Sequence, residues 1–318
     1  MTKQLIPALW LTLATLCAAV SVAHAAQPDD AAEAESTPVP VHVPAQLLTT
    51  GLGFPEGTVF IDNTLYFVDY QASTVYRLDG DRPVSVAHIA GCGANGLVPY
   101  QGNLLVACYD GGTVEEISLQ GVSLTTFSRG TANERFASPN DLVRDASGGV
   151  YFTASGSGTA RGKVFYIPPT RTPARQVADD ISNANGIALA PNGKILYLGE
   201  STTDKILAFD VASDGTLSGR REFAALDTVL QALPARRHTP DGIRTDRAGH
   251  LFVSLYNGGG FVVLDAQGKW IATATLPGDH HSNLALSPDE SAVYGTVLTD
   301  ALMGGGGGIY RIANPLAR

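Results

Sequence analysis

Residues 54–79 read FPEGTVFIDNTLYFVDYQASTVYRLD. Pro55, Glu56 and Gly57 open the stretch, an apolar run leads to the turn Asp62-Asn63, and Leu65-Tyr66-Phe67-Val68 and Thr74–Leu78 follow as further strands. The phrase returns as Ala94-Asn95-Gly96 before Leu104-Leu105-Val106, and as Pro139-Asn140-Asp141 before Val150-Tyr151-Phe152. It recurs as Ala184-Asn185-Gly186 before Ile195–Leu198, as Pro240-Asp241-Gly242 before Leu251-Phe252-Val253, and as Ser282-Asn283-Leu284 before Ala292-Val293-Tyr294. From Glu56 the copies start 39, 45, 45, 56 and 42 residues apart. Short strands at this spacing, several to a repeat and with no sustained helical period between them, predict an all-β, six-bladed β-propeller.

A propeller must close its ring. Gln46–Leu52 precedes the first inner strand and has no blade of its own, so it is expected as the outermost strand of the last blade, beside Gly308–Ile312. Arg220–Thr239, in the longest interval, reads as an insertion that covers the channel mouth. Gly304–Gly308 lacks the strand-to-helix context of a phosphate loop and reads as a flexible hairpin connection.

The second position of the phrase carries the chemistry. It reads Glu56, Asn95, Asn140, Asn185, Asp241 and Asn283. A turn position would also hold Ser, Thr or Gly; here every residue bears a carboxylate or an amide. Inner strands line a propeller's channel, so one such residue per blade sets six oxygen-bearing side chains around one axis. The set is hard and holds no Cys or His. It predicts one metal site in the central channel for a divalent ion, calcium first, then magnesium or manganese, with zinc, which prefers softer ligands, the last candidate. Two carboxylates balance a divalent charge.

The ends and the composition bound the setting. Met1–Lys3, the apolar run Leu5–Val22 and the small-x-small triplet Ala23-His24-Ala25 have the layout of a signal peptide, 1–25. Residues 26–43, rich in Ala, Asp, Glu and Pro, read as a flexible acidic lead-in, and the propeller spans 44–318. A periplasmic or secreted location follows. After signal removal no stable membrane association is expected. The net charge of −9 argues against nucleic acid and fits a small-molecule substrate or a metal. Cys92 and Cys108, left once Cys17 departs with the signal, lie toward the open end of one hairpin and are able to pair in an oxidising compartment.

Phe54-Pro55-Glu56-Gly57, Ser138-Pro139-Asn140-Asp141-Leu142, Asn185-Gly186-Ile187-Ala188 and Pro240-Asp241-Gly242-Ile243 together resemble the senescence marker protein / gluconolactonase / luciferin-regenerating enzyme family. The resemblance runs over essentially the whole mature chain. It implies one catalytic divalent metal held by Glu56, Asn185 and Asp241, with Asn140 a further ligand or a substrate contact. Some relatives carry Arg two positions before the matching Asn; Ser138 stands there in this chain.

The expected activity is metal-dependent hydrolysis of a lactone or related ester. The metal would polarise the carbonyl and activate a water, and Asp241, ahead of Glu56, would take the proton. Asn95, Asn140, Asn283 and His281 are the candidate substrate contacts. His238 and His280 share the loops at the mouth, where a solvated role is the ordinary one, and Tyr70, Tyr109 and Tyr256 follow second strands toward the same end. Two other readings stay open: a phosphotriesterase-type hydrolase on the same site, and a non-enzymatic binding propeller fastened by a structural calcium.

Overall fold

The computed structural model describes residues 44–233, 237–278, 280–299 and 306–317. Residues 1–43, with the signal and lead-in segments, lie outside them. The strands form six four-stranded antiparallel sheets, each the blade of a propeller. The inner strands are Pro55–Ile61, Ala94–Tyr100, Pro139–Arg144, Ala184–Leu189, Pro240–Thr245 and Leu284–Leu286. The sixth blade is closed as the sequence predicts. Gln46–Leu52 pairs with Gly307–Ala313, Thr50 facing Gly308, so the first strand completes the last sheet.

Blades stack face to face, so a middle strand is covered on both sides and needs apolar residues at every position rather than at alternate ones. Leu65, Tyr66, Phe67 and Val68 are all buried. Tyr66 and Val68 pack toward Leu97 and Leu104 of the second blade; Leu65 and Phe67 pack toward Ala285 and Ile309 of the sixth. Equivalent clusters fill the other interfaces, such as Phe152 and Phe165 with Tyr100 and Leu105. Cys92 and Cys108 are joined by a disulfide beside the pair Ala94–Cys108.

Two expectations need correction. The first part of Arg220–Thr239 is not an insertion. Leu217–Ala225 is the outermost strand of the fourth blade, and Leu226 and Leu230 beyond it are fully buried against the Leu255, Val262 and Trp270 cluster. Of the glycine run, 304 and 305 lie outside the described residues, whereas Gly307 and Gly308 belong to the closing strand. A Cβ on Gly308 would stand 2.8 Å from the Thr49 carbonyl oxygen, so these glycines serve close strand packing rather than flexibility.

Candidate active site at the centre of the ring

The predicted column converges on the axis. In five inner strands the ladder shifts register at or just after the column residue, as between Pro139 and Leu142 and between Pro240 and Ile243. Such bulges re-aim side chains out of the pleat, here into the channel. The glycine after the column residue has a steric cause. At Gly57 a Cβ would sit 2.6 Å from the Asn95 carbonyl oxygen, and at Gly242 2.6 Å from Asn283 Nδ2. Gly96 meets the Asn140 carbonyl, and Gly186 the Asp241 carbonyl, more closely still. Each contact links one column residue's strand to the next around the ring. Hydroxyls tie the same end together: Ser155 donates to the Ala184 carbonyl at 2.8 Å, Ser201 to Pro240 at 2.7 Å and Ser282 to Pro55 at 2.8 Å.

Glu56 (3% exposed) and Asp241 (8%) are buried together, with Asp141 (1%) close by. Burial first, then repulsion from Asp241 and Asp141, holds the Glu56 carboxyl well above the usual carboxylate range; bonds from Gly57 N and Asn283 offset this in part. Burial likewise pushes Asp241 up to about 8, against a side-chain hydrogen bond from Asn185 and with repulsion from Asp141. Both carboxyls are costly as anions unless a cation joins them.

Asn185 supplies the test of fit. It is half-buried, yet its Oδ1 is closed off from solvent and accepts no hydrogen bond. A buried carbonyl oxygen without a donor, beside two carboxyls held above their usual range, suits a hard cation. Among the described residues no three His, Cys, Asp or Glu side chains are grouped to hold a metal ion, so the amide oxygens of Asn185 and Asn140 are needed to complete a set. Asn95 and Asn140 are buried at 8% and 6% on neighbouring strands.

Asn283 differs from the expected oxygen-bearing substrate contact. Its Oδ1 accepts from Thr58 N (3.3 Å), Thr58 Oγ1 (3.0 Å), Leu284 N (3.0 Å) and Arg244 Nη2 (3.2 Å). The flip is therefore fixed, and Nδ2 donates to Glu56 Oε2 at 3.2 Å. Asn283 brings a donor to the ring, and it orients Glu56.

The histidines take loop partners. His281 is 1% exposed, and its Nε2 lies 3.1 Å from the Pro277 carbonyl, a contact within the loop. His280 stacks on Tyr256 with ring centroids 4.4 Å apart, and His238 Nδ1 lies 2.9 Å from Asp227.

Sequence reasoning missed one feature. Arg244 reaches from the fifth inner strand to Asp141 Oδ2 at 2.8 Å and also donates to the Ile243 and Thr58 carbonyls. The available signal was Asp141 itself, which stands where four copies carry Gly.

A cavity of about 480 Å³ opens between the second, third and fourth blades on the end where the inner strands begin. Tyr109, Ser155, Ser157, Thr159 and Asn183 line it with hydroxyls and an amide, and Arg161 adds a guanidinium. Ser138, in the left-handed region at φ +58°, leads into the Asn140 strand at this end.

Residues 54–299 match the SMP-30/Gluconolactonase/LRE-like region. The chain belongs to this family. A lactonase, drp35, of Staphylococcus haemolyticus is 26% identical over 253 residues, 76% of this chain and 75% of that protein. A match of 28% to the Staphylococcus aureus drp35 lactonase spans 54% of each chain. Among solved structures, a gluconolactonase of Xanthomonas campestris superposes with a TM-score of 0.72 at 23% identity, over 85% of this chain and 89% of that one. A calcium-binding protein, regucalcin, of Agrobacterium tumefaciens gives 0.72 at 18%, over 86% and 95%. The solved structures support the six-bladed propeller; identities this low carry the fold alone.

Proposed function

We propose that this protein is a lactonase whose ring holds one divalent metal ion, calcium before magnesium, manganese or zinc. The observation that carries the reading is the Asn185 oxygen left without a donor beside Asp241, whose carboxyl repels that of Glu56. Glu56, Asn140, Asn185 and Asp241 would hold the ion. When bound, it would polarise a carbonyl and lower the pKa of a water. Relatives named lactonase and gluconolactonase, and one named a calcium-binding protein, support both halves.

The chain's own residues supply the rest. Asn185 favours the charged form of the Asp241 carboxyl beside it, and a free oxygen of that carboxylate would accept a proton at the reacting centre. Asn283 does the same for Glu56. Asn95 and Asn140 would contact the substrate. The hydroxyls of the mouth fit a lactone carrying hydrogen-bonding groups.

The disulfide supports a periplasmic or secreted site of action, since such bonds persist in oxidising compartments. Among the described residues no helix is long and apolar enough to cross a membrane. N-terminal sequencing of the exported protein should begin at Ala26.

The deciding experiment is hydrolysis of a panel of lactones by the purified protein with calcium, with other divalent ions and with chelator. Turnover that needs the ion and vanishes in Glu56→Gln supports the proposal. No turnover on lactones, esters or phosphotriesters, with calcium still raising Tm, would sink it and make the ion structural.

A further inference from the structure

A second cavity of about 500 Å³ opens at the opposite end of the channel, where the inner strands finish. Its lining contrasts with that of the mouth. Val59, Val98, Leu142, Val143 and Ile187 form apolar walls, and the charged residues that line it are Arg144 and Arg244. No Asp or Glu lines it among the described residues, in a chain of net charge −9. Arg244 closes the inner end, its guanidinium already shared with Asp141 and Asn283. Arg144 stands exposed at the rim and enters no ion pair among the described residues.

We propose that this end of the channel is a binding site for a small carboxylate with an apolar tail. The volume lies within the range of small-molecule sites, and such sites combine apolar walls with a few polar groups that fix orientation. The walls here would take the tail, and Arg144 would meet the carboxylate, which a guanidinium recognises with two parallel hydrogen bonds. A cation would meet two guanidiniums and no carboxylate in the lining. The site is separate from the ring, and the proposal stands whether or not the ring hydrolyses lactones.

The test is calorimetric titration of the full chain with octanoate, octanol and octylammonium, in chelator so that no divalent ion occupies the ring. Octanoate is expected to bind with a submillimolar Kd, at least tenfold more tightly than either of the others. Arg144→Glu should weaken octanoate at least tenfold and reverse the preference toward octylammonium; Arg144→Gln should weaken octanoate without that reversal. Val143→Phe, which reduces the cavity, should weaken octanoate and octanol alike. Octanol binding as tightly as octanoate would make the cavity merely apolar and overturn the assignment. Octanoate affinity unchanged in both Arg144 variants, no binding at all, or binding that appears only with calcium present would each overturn it too.

Discussion

Two groups of carboxyls lie side by side in one channel and are treated differently. Asp141 is buried and met by the Arg244 guanidinium at 2.8 Å. Glu56 and Asp241 are equally buried, meet no Lys or Arg among the described residues, and are pushed toward their neutral forms. A buried ion pair is tolerated when its geometry and hydrogen bonds are complete. The Arg244 network meets that condition with side chains and backbone carbonyls of the protein itself, so it is framework. The ring carboxyls meet no such partner among the described residues, and that is the gap the proposed ion would fill.

Removing a ring carboxylate should have the largest functional effect. Asp241→Asn keeps the size and the fold, and should lower kcat/KM by about 10³-fold, within the range for losing a positioned proton acceptor. Because the amide needs no proton taken up on folding, it should also raise the Tm of the metal-free protein at pH 7. Steady-state kinetics and a thermal melt check both. A fully active variant would move the proton-accepting role to Glu56. At the framework pair the outcome should invert. Arg244→Met strands Asp141 and should cost about 3 kcal/mol, the lower end for breaking a buried pair, since Arg244 keeps some exposure. Adding Asp141→Asn should restore most of it, because a pair replaced on both sides leaves no orphan. Urea denaturation of the single and double variants measures the difference.

The same contrast explains what is legible in the sequence. The ring is written locally, with one column residue per blade and a glycine after most of them, because the crowding at the axis recurs in each repeat. Closure by Gln46–Leu52 is legible because that strand has no other blade to join. The Asp141–Arg244 pair is not legible: 103 residues separate its members, and Arg244 reads as an ordinary polar position in a strand. The orientation of Asn283 depends on donors from Thr58, Leu284 and Arg244, three segments that meet only in the fold. Leu217–Ala225 passes for an insertion because an outermost strand needs little apolar surface, and five of its nine residues are exposed.

The unmatched charge of the ring should show in pH dependence. Asp241 titrates at about 8 in the metal-free fold against an ordinary value of 3.8. Between those values the native state holds a proton that the unfolded chain has released, so stability falls as pH rises through the window. Glu56 is raised too and adds in the same direction. The metal-free protein should therefore melt lower at pH 8 than at pH 5. Calcium binding should have the opposite dependence. It displaces the proton, so affinity should rise about tenfold per pH unit up to about pH 8 for a single proton. Calorimetry at pH 7 in two buffers of different ionisation enthalpy should find about one proton released per ion. Release of none would mean that the ring is already ionised and that the contrast with Asp141 is weaker than drawn.

The smallest effect tests whether framework and site are separable. Thr58 is fully buried, and its hydroxyl is one of four donors to Asn283 Oδ1. Thr58→Val removes that donor and keeps the side chain's shape. The loss should be about 1 kcal/mol of stability, the ordinary value for one hydrogen bond. Calcium affinity should change less than threefold, because Thr58 N, Leu284 N and Arg244 still fix the amide that faces Glu56. A tenfold loss of calcium affinity would show that the orientation of Asn283 depends on every donor it has. Framework and site would then be one cooperative network, and Arg244 would position Glu56 through Asn283 rather than merely neutralise Asp141.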